Sequence, residues 1–194
     1  MRARQHNLTT LVAFGLVAVL SGVVHADLRD GYFTDVTPLA GLDTSDEDQG
    51  PSITADGLTV FFASNRAGGE GHVDIWMSTR PTVADSWGPP INLGPPINNS
   101  QADNMPNISA DGLTLYFNST RAAGYGEGDI YVAVRASTSA PFGEPVNLGL
   151  GVNSPDHDAC PSVSTDGLTI YFYSKRSGGR DLYVATRAAT SEPF

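Results

Sequence analysis

The sequence predicts an all-β fold made of small antiparallel sheets that stack on one another. Three observations predict it: one unit is written three times, each unit holds a run of β-branched and aromatic residues that alternates between two faces, and an Asp-Gly pair precedes each run. A fixed period is the signature of a repeat architecture, and period-2 alternation is typical of strands. Asp-Gly forms tight hairpin turns because glycine accepts positive φ without steric cost.

The repeated unit is recognised from two shared strings. The first is PSITADGLTVFFASNR, PNISADGLTLYFNSTR or PSVSTDGLTIYFYSKR, and its copies begin 55 residues apart at Pro51, Pro106 and Pro161. A glycine-rich connection follows, and then the second string, DIWMSTR, DIYVAVR or DLYVATR. Chance does not produce such periodicity over nearly the whole of a chain.

The first unit illustrates the four strands that the pattern predicts. They are strand a at 52–54, strand b at 58–64, strand c at 75–80 and strand d near 91–93. Both faces of strand b carry large apolar groups, so we expect each sheet to be covered on both sides by its neighbours. A four-stranded antiparallel sheet that is repeated and stacked is a β-propeller blade. The sequence therefore predicts three four-stranded antiparallel blades.

Three blades are fewer than the four to eight of an ordinary closed propeller. A further strand-d segment, residues 33–43, precedes the first strand a, and the sequence stops at Phe194, where a third strand d is expected to begin. One interpretation is a partial propeller whose further blades lie elsewhere. The other is half of a six-bladed ring, in which two chains join head to tail and the strand d of one completes the open blade of the other. A stable open arc is a third alternative.

The first 26 residues are typical of a signal peptide. Basic residues precede an apolar run from Leu11 to Val24, which is shorter than the roughly 20 residues of a membrane-spanning helix. Small residues precede a cleavage site between Ala26 and Asp27. We therefore expect a chain that is periplasmic or extracellular, without membrane insertion. The domains would be the signal peptide, 1–26, and the repeat region, 27–194, with repeats at about 33–87, 88–142 and 143–194.

Composition excludes two further classes of protein. The chain has 21 acidic and 11 basic residues, for a net charge of −10, whereas a nucleic-acid-binding face needs basic residues to neutralise phosphates. A single cysteine cannot form an intrachain disulfide framework. We therefore expect a folded acidic chain that does not bind nucleic acid.

The repeat resembles a known family. The pattern P-S-x-S-x-D-G-L-T-x-x-F-x-S-x-R, followed by G-G and then D-I-Y, is similar to the WD-like β-propeller repeat of the TolB type, over about residues 33–194. The resemblance implies a β-propeller in the bacterial envelope or secreted from the cell. TolB-like propellers have six blades and a further N-terminal domain, so the resemblance does not carry over a role in the Tol–Pal system.

Charged residues recur at fixed positions of the repeat. An arginine ends each strand b and an aspartate opens each strand c, so the two flank one hairpin loop and we expect them to pair across it. One interpretation is a structural role in every blade. The other is a ring of charges around a central funnel that binds a cation or an anionic partner. The candidate binding residues are Arg66, Arg121, Arg176, Asp74, Asp129 and Asp181.

Candidates for metal binding and catalysis are few. Three equivalent oxygen-rich loops, 43–48, 98–103 and 153–158, suit Ca²⁺, but the spacing of an EF-hand loop is missing, so we expect no cofactor and keep Ca²⁺ as an alternative. Cys160 occupies the repeat position of Gly50 and Met105, which favours a structural residue over a nucleophile, despite the nearby His157. A catalytic residue should differ from its repeat counterparts, and nearly every acid recurs in all three copies.

These observations favour a binding protein over an enzyme. We expect a non-enzymatic secreted or periplasmic scaffold that binds a protein, peptide or glycan through loops at the ends of its blades. The b–c loops, 67–73, 122–128 and 177–180, are the expected contact points. The alternative is the propeller portion of a polysaccharide hydrolase or lyase whose catalytic residues lie outside this chain.

Overall fold

The computed structural model describes residues 36–194, and within them it contains eleven strands and no helix. The strands form three antiparallel sheets in chain order, which are the blades that the repeat predicts. Blade 1 contains β1 (Asp48–Ile53), β2 (Thr59–Ser64), β3 (Asp74–Thr79) and β4 (Ile91–Asn92). Blade 2 contains β5 (Asp103–Ile108), β6 (Thr114–Ser119), β7 (Asp129–Val134) and β8 (Val146–Asn147). Blade 3 contains β9 (Asp158–Val163), β10 (Thr169–Ser174) and β11 (Asp181–Thr186).

The all-β prediction and the propeller blades are confirmed, with one difference in blade 3. The predicted blades have four strands each, whereas the described part of blade 3 has three. In blades 1 and 2 the fourth strand begins twelve residues after the third strand ends. For β11 that position lies past Phe194, so no residue of this sequence that follows β11 occupies it.

The first strand of each blade, predicted as strand a, is longer than predicted because it contains a β-bulge. The pairing of β1 with β2 shifts register between Gln49 and Ser52, and the same shift occurs in blades 2 and 3. Gly50, Met105 and Cys160 lie at the bulge with φ of 59°, 50° and 55°. A bulge residue in the left-handed region interrupts the two-residue alternation, and the proline that follows it has no N–H to donate. The alternation pattern therefore does not predict the full length of the strand.

Each Asp-Gly pair forms the predicted turn between the first and second strands of a blade. In blade 2, Gly112 has φ of 72° and its N–H donates to the carbonyl oxygen of Ser109 at 2.8 Å. The Ser109 hydroxyl donates to Oδ1 of Asp111 at 2.6 Å, and the Leu113 N–H donates to the same oxygen at 3.0 Å. These two bonds stabilise the carboxylate and lower the pKa of Asp111 below its ordinary value of 3.8. The pKa values of Asp56 and Asp166 are lowered in the same way.

The lowered pKa values predict a pH dependence of stability. A carboxyl whose pKa is lower in the folded chain than in the unfolded chain stabilises the fold. This stability is present above pH 3.8, the ordinary pKa, and is lost as the pH falls through the lower pKa of the folded chain. We therefore expect the free energy of unfolding to be level above about pH 5 and to fall on acidification. Urea denaturation at pH 3 to 6 measures it, and Asp111→Asn should reduce the fall. An identical pH profile for the variant would contradict the role of Asp111.

The core lies between the blades. We call the side of a blade that faces the preceding blade its front face, and the opposite side its back face. At the first junction, Phe61 and Ile75 of the back face of blade 1 pack against Leu115 and Phe117 of the front face of blade 2. At the second, Tyr116 and Ile130 pack against Ile170 and Phe172. In blade 2 both apolar faces of strand b are therefore covered by neighbouring blades, as predicted, whereas blades 1 and 3 each have a neighbouring blade on one side only among the described residues.

A loop side chain completes each junction, and backbone bonds align the blades. Ile97 lies in the first core and Val152 in the second. Short parallel bridges join Val73 to Ala102 and Gly128 to His157, so the loops between the second and third strands all lie at one end of the blades.

The predicted signal peptide lies outside the described residues. Within residues 36–194, the structure has no helix that is long and apolar enough to cross a membrane.

Candidate functional site

The arginine that follows the second strand of each blade lies at the centre of a repeated network. In blade 2, Nε of Arg121 donates to Oγ of Ser119 at 2.8 Å. Nη2 donates to the carbonyl oxygen of Ile97 at 2.6 Å and to Oδ1 of Asp103 at 2.8 Å. The Asp103 side chain is fully buried, so this is an ion pair largely removed from water. Arg66 and Arg176 make the equivalent bonds in blades 1 and 3.

The same guanidinium lies over aromatic rings of its own blade. Cζ of Arg121 is 5.3 Å from the ring centroid of Phe117 and 4.9 Å from that of Tyr131. Arg66 and Arg176 lie over the corresponding rings. Each arginine therefore combines an ion pair, a loop carbonyl and a cation–π contact, and it joins three parts of the fold.

The predicted pairing of this arginine with the aspartate that opens strand c is wrong. The arginine pairs with the aspartate that opens the first strand, Asp48, Asp103 or Asp158. The pairing differs because Asp74 and Asp129 are instead turned into their own b–c loops. Oδ2 of Asp74 accepts the Glu70 N–H at 2.5 Å and an Asn92 side-chain N–H at 3.2 Å.

The counterparts of Asp74 show what the fourth strand contributes to this position. Oδ2 of Asp129 accepts bonds from the Tyr125 N–H and the Asn147 side chain, which belongs to the fourth strand of blade 2. Asp181, in the three-stranded blade, accepts a bond from Ser177 and is exposed. The six predicted binding residues therefore lie in two separate repeated networks.

A buried asparagine, whose role the sequence did not predict, joins the loop after the fourth strand back to the third strand of the same blade. Oδ1 of Asn98 accepts the Ile75 N–H at 2.8 Å, and its Nδ2 donates to the Ile75 carbonyl oxygen at 2.9 Å. Asn153 makes the same pair of bonds with Ile130. The asparagine thus bonds both backbone groups of a third-strand residue, whose carbonyl oxygen also accepts the N–H of Leu93 or Leu148. Its sequence signal is the shared I-N or V-N ending of the strand-d segment, which the strand pattern alone does not explain.

The second recurring arginine closes the opposite end of the blades. Nε of Arg135 donates to the Gly112 carbonyl oxygen at 2.7 Å, and its Cζ lies 4.5 Å from the ring centroid of Phe142. Phe142 in turn meets Phe61 edge to face at 6.1 Å. Arg80 and Arg187 pair in the same way with Trp87 and Phe194.

The surface at the other end is formed by the three b–c loops, 67–73, 122–128 and 177–180, which we call the loop face. Their glycines allow close packing: a Cβ at Gly71 would lie 2.1 Å from the Gln101 carbonyl oxygen, and one at Gly126 would lie 2.1 Å from that of Asp156. The backbone is therefore held against the following blade. The side chains that it exposes differ among the loops and include Glu70, His72, Tyr125, Glu127 and Arg180.

Blade 3 adds a small aromatic and basic group beside the loop face. The ring centroids of His157 and Tyr173 are 5.7 Å apart, and Cζ of Arg180 lies 5.5 Å from the Tyr173 ring. Burial and the charge of Lys175 lower the pKa of His157. Burial raises the pKa of the Cys160 thiol, which opposes formation of a nucleophilic thiolate.

A groove of about 650 Å³ lies at the Asp-Gly end, where the turns of all three blades approach one another. Apolar side chains such as Ile108 and Val163 line it, together with Asp111, Asp166 and Arg187. Arg187 donates to the Tyr116 hydroxyl at 3.2 Å and to the Gly167 carbonyl oxygen, so its guanidinium is held within the protein. Among the described residues, no group of three or more His, Cys, Asp or Glu side chains is arranged to hold a metal ion.

No protein-family model matches the sequence, and no curated protein matches it significantly. Solved structures do resemble its fold. A thermostable family-43 glycoside hydrolase is 14% identical with a TM-score of 0.51, over 78% of this chain and 52% of the enzyme. TolB from Acinetobacter baumannii is 18% identical with a TM-score of 0.49, over 75% and 30%. The Bacteroides ovatus xyloglucan PUL protein GH43B is 23% identical with a TM-score of 0.47, over 80% and 30%.

The likeness to the glycoside hydrolase, together with the repeat motif and the three antiparallel sheets, defines a β-propeller fold. The identities are all below 25%, so the likeness concerns the fold. The chain spans about half of the glycoside hydrolase and less than a third of TolB.

Proposed function

We propose that the chain is a non-enzymatic propeller scaffold that binds a protein, peptide or glycan through the loop face. The observation that carries the proposal is the contrast between the framework and the loops. Arginines and aspartates of the framework make the same bonds in successive blades, whereas the exposed side chains of the loop face differ from blade to blade. Variable side chains on a fixed framework are typical of binding surfaces.

The chemistry of the loop face supports a binding role. Tyr125 is exposed, and tyrosine combines a large apolar surface with a hydroxyl, as protein and glycan contacts require. Lys175 of blade 3 pairs with Glu127 of the second loop at 3.3 Å, so an exposed ion pair joins this loop to the next blade. The recurring arginines and aspartates, Arg121 and Asp129 among them, serve in this proposal to hold the loops in place.

The same proposal places the chain in the periplasm or outside the cell. It rests on the signal-like sequence before Asp27 and on the TolB-like repeat motif. An export reporter fused after residue 26 tests the location, because activity of an exported enzyme such as alkaline phosphatase requires translocation. A fusion protein that is made but stays inactive in the cytoplasm would contradict it.

Two triple variants test the binding surface. The first changes His72, Tyr125 and Arg180 to serine, one residue in each b–c loop. The second, a matched control, changes the equivalent exposed residues Val83, Thr138 and Thr190 at the opposite end. Both sets are exposed, so both variants should fold, and circular dichroism checks this.

Defined peptide and glycan arrays supply the probes. We expect ligands bound by the wild-type chain to lose at least tenfold in affinity with the loop-face variant and to be retained by the control. Equal binding by the wild-type chain and the loop-face variant would contradict the proposal. Binding restricted to polysaccharides would favour the alternative, a propeller portion of a hydrolase or lyase with its catalytic residues elsewhere.

A further inference from the structure

The back face of blade 3 is an apolar surface that its counterparts bury. Leu182 is 88% exposed, whereas the equivalent Ile75 and Ile130 are both 0% exposed. Tyr171 and Val184 on the same face are 56% and 57% exposed. The back face of blade 3 therefore has the side chains of a blade junction, and within the described residues nothing covers it.

The front face of blade 1 is the matching half of such a junction. Val60, Phe62 and Trp76 occupy the positions of Leu115, Phe117 and Tyr131. Leu42 packs against them and takes the repeat position of Ile97 and Val152, the loop side chains that lie inside the two observed junctions. Although Val60, Phe62 and Trp76 are only 4%, 5% and 7% exposed, the front face of blade 1 has the same elements as the fronts of blades 2 and 3.

The back face of blade 3 and the front face of blade 1 also carry complementary charges. The parallel bridges of the observed junctions link Val73 to Ala102 and Gly128 to His157. The corresponding positions of a third junction are Arg180 on blade 3 and Glu47 before blade 1, and both side chains are exposed. An arginine and a glutamate would therefore meet where the other junctions place uncharged or aromatic side chains.

We propose that the back face of blade 3 binds the front face of blade 1 of a second copy of this chain. Such a head-to-tail contact either closes or propagates. Closed propellers have about four to eight blades, so two copies with three blades each fit, whereas three copies would exceed the range. The assembly is therefore a closed dimer with two identical junctions. This proposal shares Arg180 with the loop face, but its test is the mass of the assembly and does not depend on ligand binding.

The dimer also supplies a fourth strand to blade 3, which has three strands among the described residues. Residues 36 and 37 lie 55 positions before Ile91 and Asn92 of β4 and therefore hold the sequence position of a fourth strand. In the dimer, this segment of one copy would pair with the free edge of β11 in the other. The exposed edge, which invites uncontrolled strand pairing, would then be covered.

Light scattering coupled to size-exclusion chromatography tests the proposal on the exported, processed chain. We expect twice the mass of the protomer at micromolar concentration. Leu182→Asp should give a monomer, and the matched control Leu150→Asp, at an exposed leucine of a loop beside blade 2, should remain a dimer. A wild-type monomer, as expected if a following blade of a longer polypeptide covers this face, would overturn the proposal. So would a mass that grows with concentration, which indicates an open polymer.

A charge exchange tests the orientation of the two copies. Arg180→Glu and Glu47→Arg should each weaken the dimer at least fivefold, because each places like charges opposite each other at both junctions. The chain that carries both changes restores the pair and should regain most of the affinity. A double variant no tighter than either single variant would overturn the head-to-tail contact, even if the chain is dimeric.

Discussion

Replacing Arg121 by alanine is expected to lower the free energy of unfolding by about 3–5 kcal/mol, because it leaves a buried carboxylate without its partner. Asp103 is fully buried, and Arg121 supplies its only salt bridge among the described residues. The change also removes the bond to the Ile97 carbonyl oxygen and the contact with the Phe117 ring. The loop between blades 1 and 2 and the core below it would be weakened together.

Urea denaturation followed by tryptophan fluorescence measures this loss. Lys175→Ala is the control, since it breaks an exposed ion pair with Glu127 and should cost less than about 1 kcal/mol. An unchanged midpoint for Arg121→Ala, together with loss of a bound ligand, would instead assign this arginine to a binding site.

Phe117→Ala is expected to cost about 3–5 kcal/mol, because it opens a cavity in the junction between blades 1 and 2. The Phe117 side chain is fully buried, and its ring stacks on Tyr131 at a centroid distance of 6.1 Å. The neighbouring side chains belong to two blades that are themselves held by strand pairing, so the site can collapse only in part.

Thermal and urea unfolding measure the effect, with Tyr125→Ala as an aromatic control on the exposed loop face. The control should change stability by no more than about 0.5 kcal/mol. A loss below about 1 kcal/mol for Phe117→Ala would show that the blade junction is not the main source of stability in this chain.

Local chemistry accounts for what could be predicted. The Asp-Gly turns and the alternating strands depend on φ preferences and on a period of two, which are written in neighbouring residues. The bulges at Gly50, Met105 and Cys160 were missed, since a non-glycine residue with positive φ has no consistent sequence signal. The repeat also identified the arginines and aspartates of the candidate site, but not their partners.

The partners depend on contacts that are distant in sequence. Arg121 is nearer in sequence to Asp129, its predicted partner, than to Asp103, which it binds. Antiparallel pairing brings Asp103 beside Ser119, two residues before the arginine, whereas the Tyr125 N–H of the loop donates to Asp129. The buried Asn98 likewise acquires its role only when the loop after β4 folds back on β3, because its partner Ile75 lies 23 residues earlier in the chain.

The sequence by itself therefore determines the repeated blade and shows three copies of it, because each blade is formed by short-range strand pairing that every copy repeats. The tertiary structure decides what a blade cannot specify alone: which carboxylate meets each arginine, which side chains are buried between blades, and which face stays uncovered. Leu182 shows the difference: its repeat position is apolar like that of Ile75 and Ile130, but no described residue covers it, so it is exposed. Burial is a property of two surfaces in contact, and one repeat encodes only one of them.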